Sequence, residues 1–261
     1  MAPISDNKNY QAPSVFQPSA LLREARRQKN LPAVDVPPVC ILDPDGDIVR
    51  RLRREGRSQP FPAWACYHTA LDSFELAGET AGIVGCAVGA SFAVLIAEEL
   101  FTSGCKLLLS LTSAGQIEVL GTPPYFVVID RALRDEGTSD HYAPPAEFAH
   151  ADKALITTAS AALAESGMQT FVGATWTTDA PFRETREAIN WARTRGTVAV
   201  EMEAAALYTF AAVKKARVLC LAHVTNAMAQ AGQDFEKGAA DGTDDALTVL
   251  AAVAAKLRSG L

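Results

Sequence analysis

The apolar positions of this chain fall into short β-branched runs that alternate with longer stretches of helical spacing. Val39–Leu42, Lys106–Leu111, Thr197–Val200 and Arg217–Val224 are near-continuous apolar runs of strand length, the pattern of strands buried on both faces. Gly82–Val88, Tyr125–Ile129 and Gln169–Thr175 read as further strands, and Ala63–Leu76 as a strand pair. Helical spacing covers Ala20–Lys29 (capped by Ser19), Ile48–Arg54, Phe92–Thr102, Ala151–Ser166, Arg183–Arg195, Ala204–Ala212 and Thr243–Arg258. Asp43-Pro-Asp-Gly-Asp47 is a turn, Thr112-Ser-Ala-Gly115 a hydroxyl-rich turn, and Arg131–Tyr142 a polar excursion. Strand and helix alternate with no repeat and no internal linker, which predicts an α/β fold and one domain over residues 1–261. Residues 1–17, polar and proline-containing, read as an N-terminal arm.

Composition narrows the function classes. Nearly half of the 261 residues are apolar (49%), enough for a sizeable core. A net charge of −6 argues against nucleic acid or an anionic membrane as partner. No run of 18 apolar residues is present, and Met1–Gln17 lacks the apolar stretch of a secretion signal. Cys40, Cys66, Cys86, Cys105 and Cys220 are scattered and mostly embedded in strand-like runs, the pattern of buried thiols in a reducing compartment, so a cytoplasmic location is expected. Four histidines without metal-ligand spacing predict no metal site.

The chemistry concentrates at Val198-Ala-Val-Glu-Met-Glu-Ala-Ala-Ala-Leu-Tyr208. A buried strand ends here and a small-residue helix begins, with Glu201 and Glu203 at the junction. Open α/β sheets place ligands at such rims. The plain alternative is that the acids serve the helix N-terminus, where the macrodipole favours negative charge. In the Asp43–Asp47 turn, Gly46 leaves the backbone room for a bound group and Arg50 lies one turn into the next helix.

Val200-Glu-Met-Glu-Ala-Ala205 resembles the ribose-binding signature of the nucleoside phosphorylase family (purine nucleoside and uridine phosphorylases). Gly46-Asp47 followed by Arg50 looks like that family's Gly-Asp-x-x-Arg phosphate loop, and Val88-Gly-Ala-Ser91 like its Gly-x-x-Ser turn. Asp135-Glu-Gly-Thr-Ser139 and Trp176–Thr185 resemble stretches of its uridine-phosphorylase-like branch, so the similarity spans roughly Val15 to Val224. The resemblance implies a three-layer αβα sandwich on a central mixed, partly barrelled sheet, and a homodimer or a hexamer built as a trimer of dimers. It implies phosphorolysis of a uridine or 6-oxopurine ribonucleoside to free base and ribose 1-phosphate, with inorganic phosphate as co-substrate and no cofactor. By the same resemblance Glu203 grips the ribose 2′- and 3′-hydroxyls, Met202 packs under the sugar, Glu201 stands beside them, and Gln17 holds the position of the histidine that reaches the 5′-hydroxyl. Phe182 would stack on the base, Glu184 and Arg186 would read its edge, and Asn226 would support it. Gly46, Arg50 and Ser113 would hold phosphate.

The chain departs from the family at the phosphate site. Ser110 stands where family phosphorylases carry an arginine, and no arginine lies near His68 or Thr69, where the neighbouring subunit would lend one. A serine cannot supply a bidentate guanidinium–phosphate contact. Two alternatives therefore stand beside phosphorolysis: hydrolysis, with water attacking and Glu201 as candidate base, and a nucleoside-binding protein without catalysis.

Overall fold

The computed structural model describes residues 6–228, 235 and 237–260. In chain order its elements are α1 (Pro18–Lys29), β1 (Val39–Asp43), α2 (Asp47–Arg54), β2 (Ser58–Pro60), β3 (Asp72–Leu76), β4 (Glu79–Gly85), α3 (Ala90–Thr102), β5 (Leu107–Gln116), β6 (Tyr125–Asp135), α4 (Ser139–Tyr142), β7 (Phe148–His150), α5 (Lys153–Ala164), β8 (Thr170–Thr178), α6 (Arg186–Thr194), β9 (Thr197–Glu201), α7 (Ala204–Lys214), β10 (Val218–Asn226) and α8 (Thr243–Leu257).

The strands form one mixed sheet in the order β10-β6-β8-β9-β5-β1-β4-β3-β2, with β7 beside β6. A further pairing of β10 with β5 closes five of them into a barrel. β5 is the hinge of this closure. One edge pairs with β10 over nearly its whole length, while the other pairs first with β1 and then, at Gly115 and Gln116, with β9. That division explains why Thr112–Gly115 is strand and not the expected turn: the hydroxyl-rich residues continue the ladder toward β9. Gly115 sits where three strands converge, and a Cβ there would lie 2.3 Å from the Met228 sulfur and 3.2 Å from Val200 Cγ1, so any larger residue would have to push these side chains aside.

The continuous apolar runs follow from burial on both faces. Along β1, Cys40 and Leu42 turn to one helix layer and Val39 and Ile41 to the other. β5, β6 and β10 divide in the same way. α3 and α7 cover the first face with Val94, Ile96, Leu100, Leu207 and Phe210. α2, α5 and α8 cover the second with Ile48, Leu52, Leu155, Leu163, Val249 and Val253. The three-layer αβα sandwich with a partly barrelled sheet is therefore present. Buried Tyr208 ties the layers together, its hydroxyl donating to the Ile129 carbonyl (2.6 Å) and accepting the Cys220 N–H (3.0 Å).

Elsewhere the element boundaries differ from expectation for identifiable reasons. α1 starts at Pro18, whose fixed φ suits a first helical turn, so Ser19 lies inside the helix and Gln17 takes the cap position without a side-chain bond. Ala63–Leu76 is not a strand pair. Only Asp72–Leu76 is strand, paired with Ser58–Pro60, and residues 61–71 form an irregular connection punctuated by Pro62. Its apolar residues Ala63, Trp64, Ala65 and Cys66 are buried all the same, which is why the stretch mimics a strand. β6 continues to Asp135 through the expected polar excursion, because it pairs with β8 along its whole length. A single 3₁₀ turn, Pro181–Arg183, precedes α6, whose start is set by the Thr185 hydroxyl accepting the Ala188 N–H (3.2 Å).

Candidate active site

β1, β4, β5 and β10 run parallel, so the loops at their carboxyl ends share one rim. β9 arrives antiparallel to β5 and meets it tip to tip, Gly115 opposite Val200. This meeting brings the Glu201–Glu203 junction, the Thr112–Ser113 hydroxyls and Asn226 (paired with Gly115) to a common point.

The two glutamates have different jobs. Glu201 is buried, and one carboxylate oxygen accepts the Thr175 (3.0 Å) and Thr177 (2.5 Å) hydroxyls while the other accepts the Glu203 and Ala204 N–H groups, both at 2.7 Å. From two residues before the N-cap, Glu203, it takes the first N–H groups of α7, which is the plain alternative of an acid serving the helix N-terminus. Burial pushes its carboxyl above the ordinary value against the pull of these donors. With all four acceptor directions occupied, Glu201 has no side free for a ribose hydroxyl or an attacking water. The expectations of it as sugar ligand and as base give way to an anchoring role.

Glu203 is equally buried but half satisfied. Its Oε1 accepts the Gly89 N–H at the start of α3 (2.7 Å), and its Oε2 has no hydrogen-bond partner among the described residues. Burial pushes this carboxyl up to about 8, helped by the charge of Glu201 beside it and opposed by the Gly89 N–H and by the nearby Thr112 hydroxyl, which makes no hydrogen bond to Oε2. A buried carboxyl oxygen with nothing to accept from is costly and points to a ligand. Met202 lies between the two acids, half-buried.

Facing them is the Asp43–Asp47 turn, several of whose donors are engaged by the chain's own acids. The Asp43 carboxylate accepts the Gly46 (3.1 Å) and Val49 (2.9 Å) N–H groups, and burial pushes it up to about 7. Asp45 takes both donors of Ser113, the N–H at 2.9 Å and the hydroxyl at 3.0 Å. Arg50 holds Asp47 (2.5 Å) and the Asp45 carbonyl (2.8 Å), and lies 3.5 Å from the Cys86 sulfur. Lys237 also pairs with Asp47 and stands 3.9 Å from Asp45. Gly46, Arg50 and Ser113 are thus brought together as expected, but around aspartates of the chain itself.

The expected base-reading residues follow β8. Phe182 is 99% exposed on the 3₁₀ turn, which leaves the ring open on both faces. Glu184 is half-buried, and desolvation raises its carboxyl to about 7. Arg186, the first residue of α6, is exposed. Asn226 is buried at the end of β10, donating to Thr225 Oγ1 (3.1 Å) and accepting the Met228 N–H (2.9 Å). Gln17 stands apart: it bonds the Ser14 carbonyl and lines, with Ser91, Glu98 and Tyr142, a cavity of about 710 Å³ between the arm and α3.

Asp43, Asp45 and Lys237 stand at this rim although the sequence alone assigns them no role, and Thr112 is visible there only as part of a hydroxyl-rich stretch. Three aspartates at alternate positions in Asp43-Pro-Asp-Gly-Asp47 were the available signal, absorbed there as turn composition. Among the described residues no cluster of three or more His, Cys, Asp or Glu could hold a metal ion, and no helix is long and apolar enough to cross a membrane. Of the cysteines Cys86 is exposed, so not all five thiols are buried.

A family model described as the phosphorylase superfamily matches residues 38–257. The chain belongs to this superfamily. Solved structures with the superfamily's fold resemble it over most of their length. A uridine phosphorylase from Vibrio fischeri ES114 shares 22% identity at a TM-score of 0.72, covering 86% of this chain and 95% of that one. A purine nucleoside phosphorylase from Toxoplasma gondii, solved with immucillin-H, shares 15% at 0.76, covering 89% and 96%. An AMP nucleosidase from Bacteroides thetaiotaomicron VPI-5482 shares 16% at 0.75, covering 94% and 100%. At these identities the likeness carries the fold, and within the superfamily the named proteins include both phosphorylases and a nucleosidase.

Proposed function

We propose that this protein cleaves the N-glycosidic bond of a ribonucleoside, releasing the free base. The observation that carries the reading is the unpartnered, buried Oε2 of Glu203 beside Met202. A carboxylate accepts from two vicinal hydroxyls at once, so a ribose 2′,3′-diol satisfies what the chain leaves open. Glycosidic cleavage passes through an oxocarbenium-like sugar and a base leaving with negative charge, so both ends need stabilising. Glu203 holds the sugar, Glu201 fixes the backbone from which Glu203 projects, and Phe182, Glu184, Arg186 and Asn226 meet the base.

On the opposite face two nucleophiles are in play. Phosphate is the nucleophile that the Gly46-Asp47 and Arg50 pattern implies, with Ser113 as hydroxyl partner. Water is favoured by a specific observation: both Ser113 donors are already engaged by Asp45. A panel of ribonucleosides assayed for base release with and without inorganic phosphate separates these. Nucleoside-dependent thermal stabilisation with no base released in either buffer would instead leave only the binding-protein reading.

Glu184 accepts but cannot donate once ionised, so it favours bases that present N–H groups. Glu184→Gln is expected to shift the ratio of kcat/KM between 6-oxopurine and uracil nucleosides by about 10- to 100-fold, the worth of one hydrogen bond to a charged group. Because burial raises this carboxyl to about 7, the wild-type preference should weaken below pH 7 while that of the Gln variant stays flat. Equal kcat/KM ratios in the two proteins across that range would remove Glu184 from base recognition.

A further inference from the structure

Building on the glycosidic-cleavage reading, we propose that Asp45 holds the place a phosphate would take, so that water is the nucleophile and the Asp45 carboxylate receives its proton. The geometry of the Asp43–Asp47 turn carries this. The two Ser113 donors that could bind an anion converge on Asp45, one on each carboxylate oxygen, at 2.9 and 3.0 Å. This is the bidentate capture expected for a bound oxyanion, achieved with an internal one. The Gly46 N–H at the start of α2, the other natural anion donor, is taken by Asp43.

The local charge balance points the same way. Asp43, Asp45 and Asp47 crowd one turn, and the two cations beside them, Arg50 and Lys237, both pair with Asp47. An arriving phosphate would meet three carboxylates on this turn, alongside two cations that already pair with one of them. Like charge in one cradle is costly, so displacing Asp45 is required before phosphate can bind. Water has no such barrier. The Asp45 side chain keeps 30% of its surface exposed, so it can touch solvent while Ser113 fixes its orientation. Its charge is also among the influences raising the Glu203 carboxyl, which puts the two acids within electrostatic reach across the rim.

The step balances without a further reactant. The water oxygen bonds to C1′ as the C1′–N bond breaks, and that electron pair leaves on the base nitrogen. The water's proton passes to Asp45 and on to solvent, while the departing base takes up one proton. Nucleoside and water become ribose and free base.

The test uses the full chain with Asp45→Ala and Asp45→Asn, the latter keeping size and one acceptor for Ser113. Inorganic phosphate is titrated into each by calorimetry. Base release is measured in phosphate-free buffer, and in ¹⁸O-labelled water the sugar product is examined for label at C1. The wild type should release base equally with and without phosphate and give labelled ribose. Asp45→Asn should lose about 100-fold in kcat with KM little changed, the typical contribution of a positioned base. Asp45→Ala, which frees both Ser113 donors, should bind inorganic phosphate at least tenfold more tightly than the wild type. A wild type that needs phosphate, or an Asp45→Ala protein that binds phosphate no better, overturns the assignment. Should no nucleoside be cleaved in either buffer, the glycosidic reading and the water step fall together. The phosphate titrations then decide on their own whether Asp45 fills the anion cradle: tighter binding by Asp45→Ala supports it, equal binding overturns it.

Discussion

Glu203→Ala is expected to lower kcat/KM on every ribonucleoside that the protein cleaves by about 10²- to 10⁴-fold. Two ribose hydroxyls donating to one charged acceptor are worth roughly 1.5–3 kcal/mol each, and both are lost together. The more telling readout is selectivity. The wild type should discriminate strongly against 2′-deoxynucleosides and the variant should not, since the group that senses the hydroxyl is gone. An unchanged ribose-to-deoxyribose ratio in Glu203→Ala would remove this residue from the sugar site.

The same side chain sets a pH dependence. Its carboxyl is raised from the ordinary 4.5 to about 8, so the folded chain holds a proton that the unfolded chain has released across that interval. Stability from this group is therefore fully present below pH 4.5 and lost as pH rises through 8. Glu203→Gln, which cannot ionise, should flatten the fall in melting temperature between pH 5 and pH 8 and should be no less stable than the wild type at pH 8. Ribose hydroxyls favour the ionised acceptor, so nucleoside affinity should rise over the same interval.

Glu201→Ala is expected to act on the fold first. It strips partners from four buried donors, the Thr175 and Thr177 hydroxyls and the Glu203 and Ala204 N–H groups. Leaving such a network half-made costs on the order of 3–5 kcal/mol, a large share of the 5–15 kcal/mol that holds a typical domain together. Denaturant unfolding should show the unfolding free energy falling by that amount, with activity lost in whatever fraction stays folded, because Glu203 loses its backbone anchor. Glu201→Gln, which keeps an acceptor and adds an amide donor, should recover only part. Full stability in Glu201→Ala would contradict the capping role.

These two residues show what the sequence could and could not convey. The strand-to-helix junction at Glu201–Ala204 was legible because a β-branched run stops abruptly at charge. Which acid caps the helix and which faces the rim was not, since the answer depends on Thr175 and Thr177, some 25 residues earlier on β8. The layered fold was readable from runs such as Leu107–Leu111, which are apolar at every position because helices cover both faces. Barrel closure was not, because it rests on the pairing of β5 with β9 and β10, and Thr112–Gly115 looks locally like a turn. Asp45 was the hardest to see. Asp-Pro-Asp-Gly-Asp is ordinary turn composition, and only the approach of Ser113 from another strand gives the middle acid a partner.

The way the sheet ends has a consequence for assembly. Its terminal strand β2 has three residues and finishes in a proline, and β7, lying against β6, is as short. Such stubs offer little unpaired backbone for a neighbour to zip onto. Joining copies of this chain by strand addition is accordingly disfavoured, which leaves side chains on helices and loops as the available contacts.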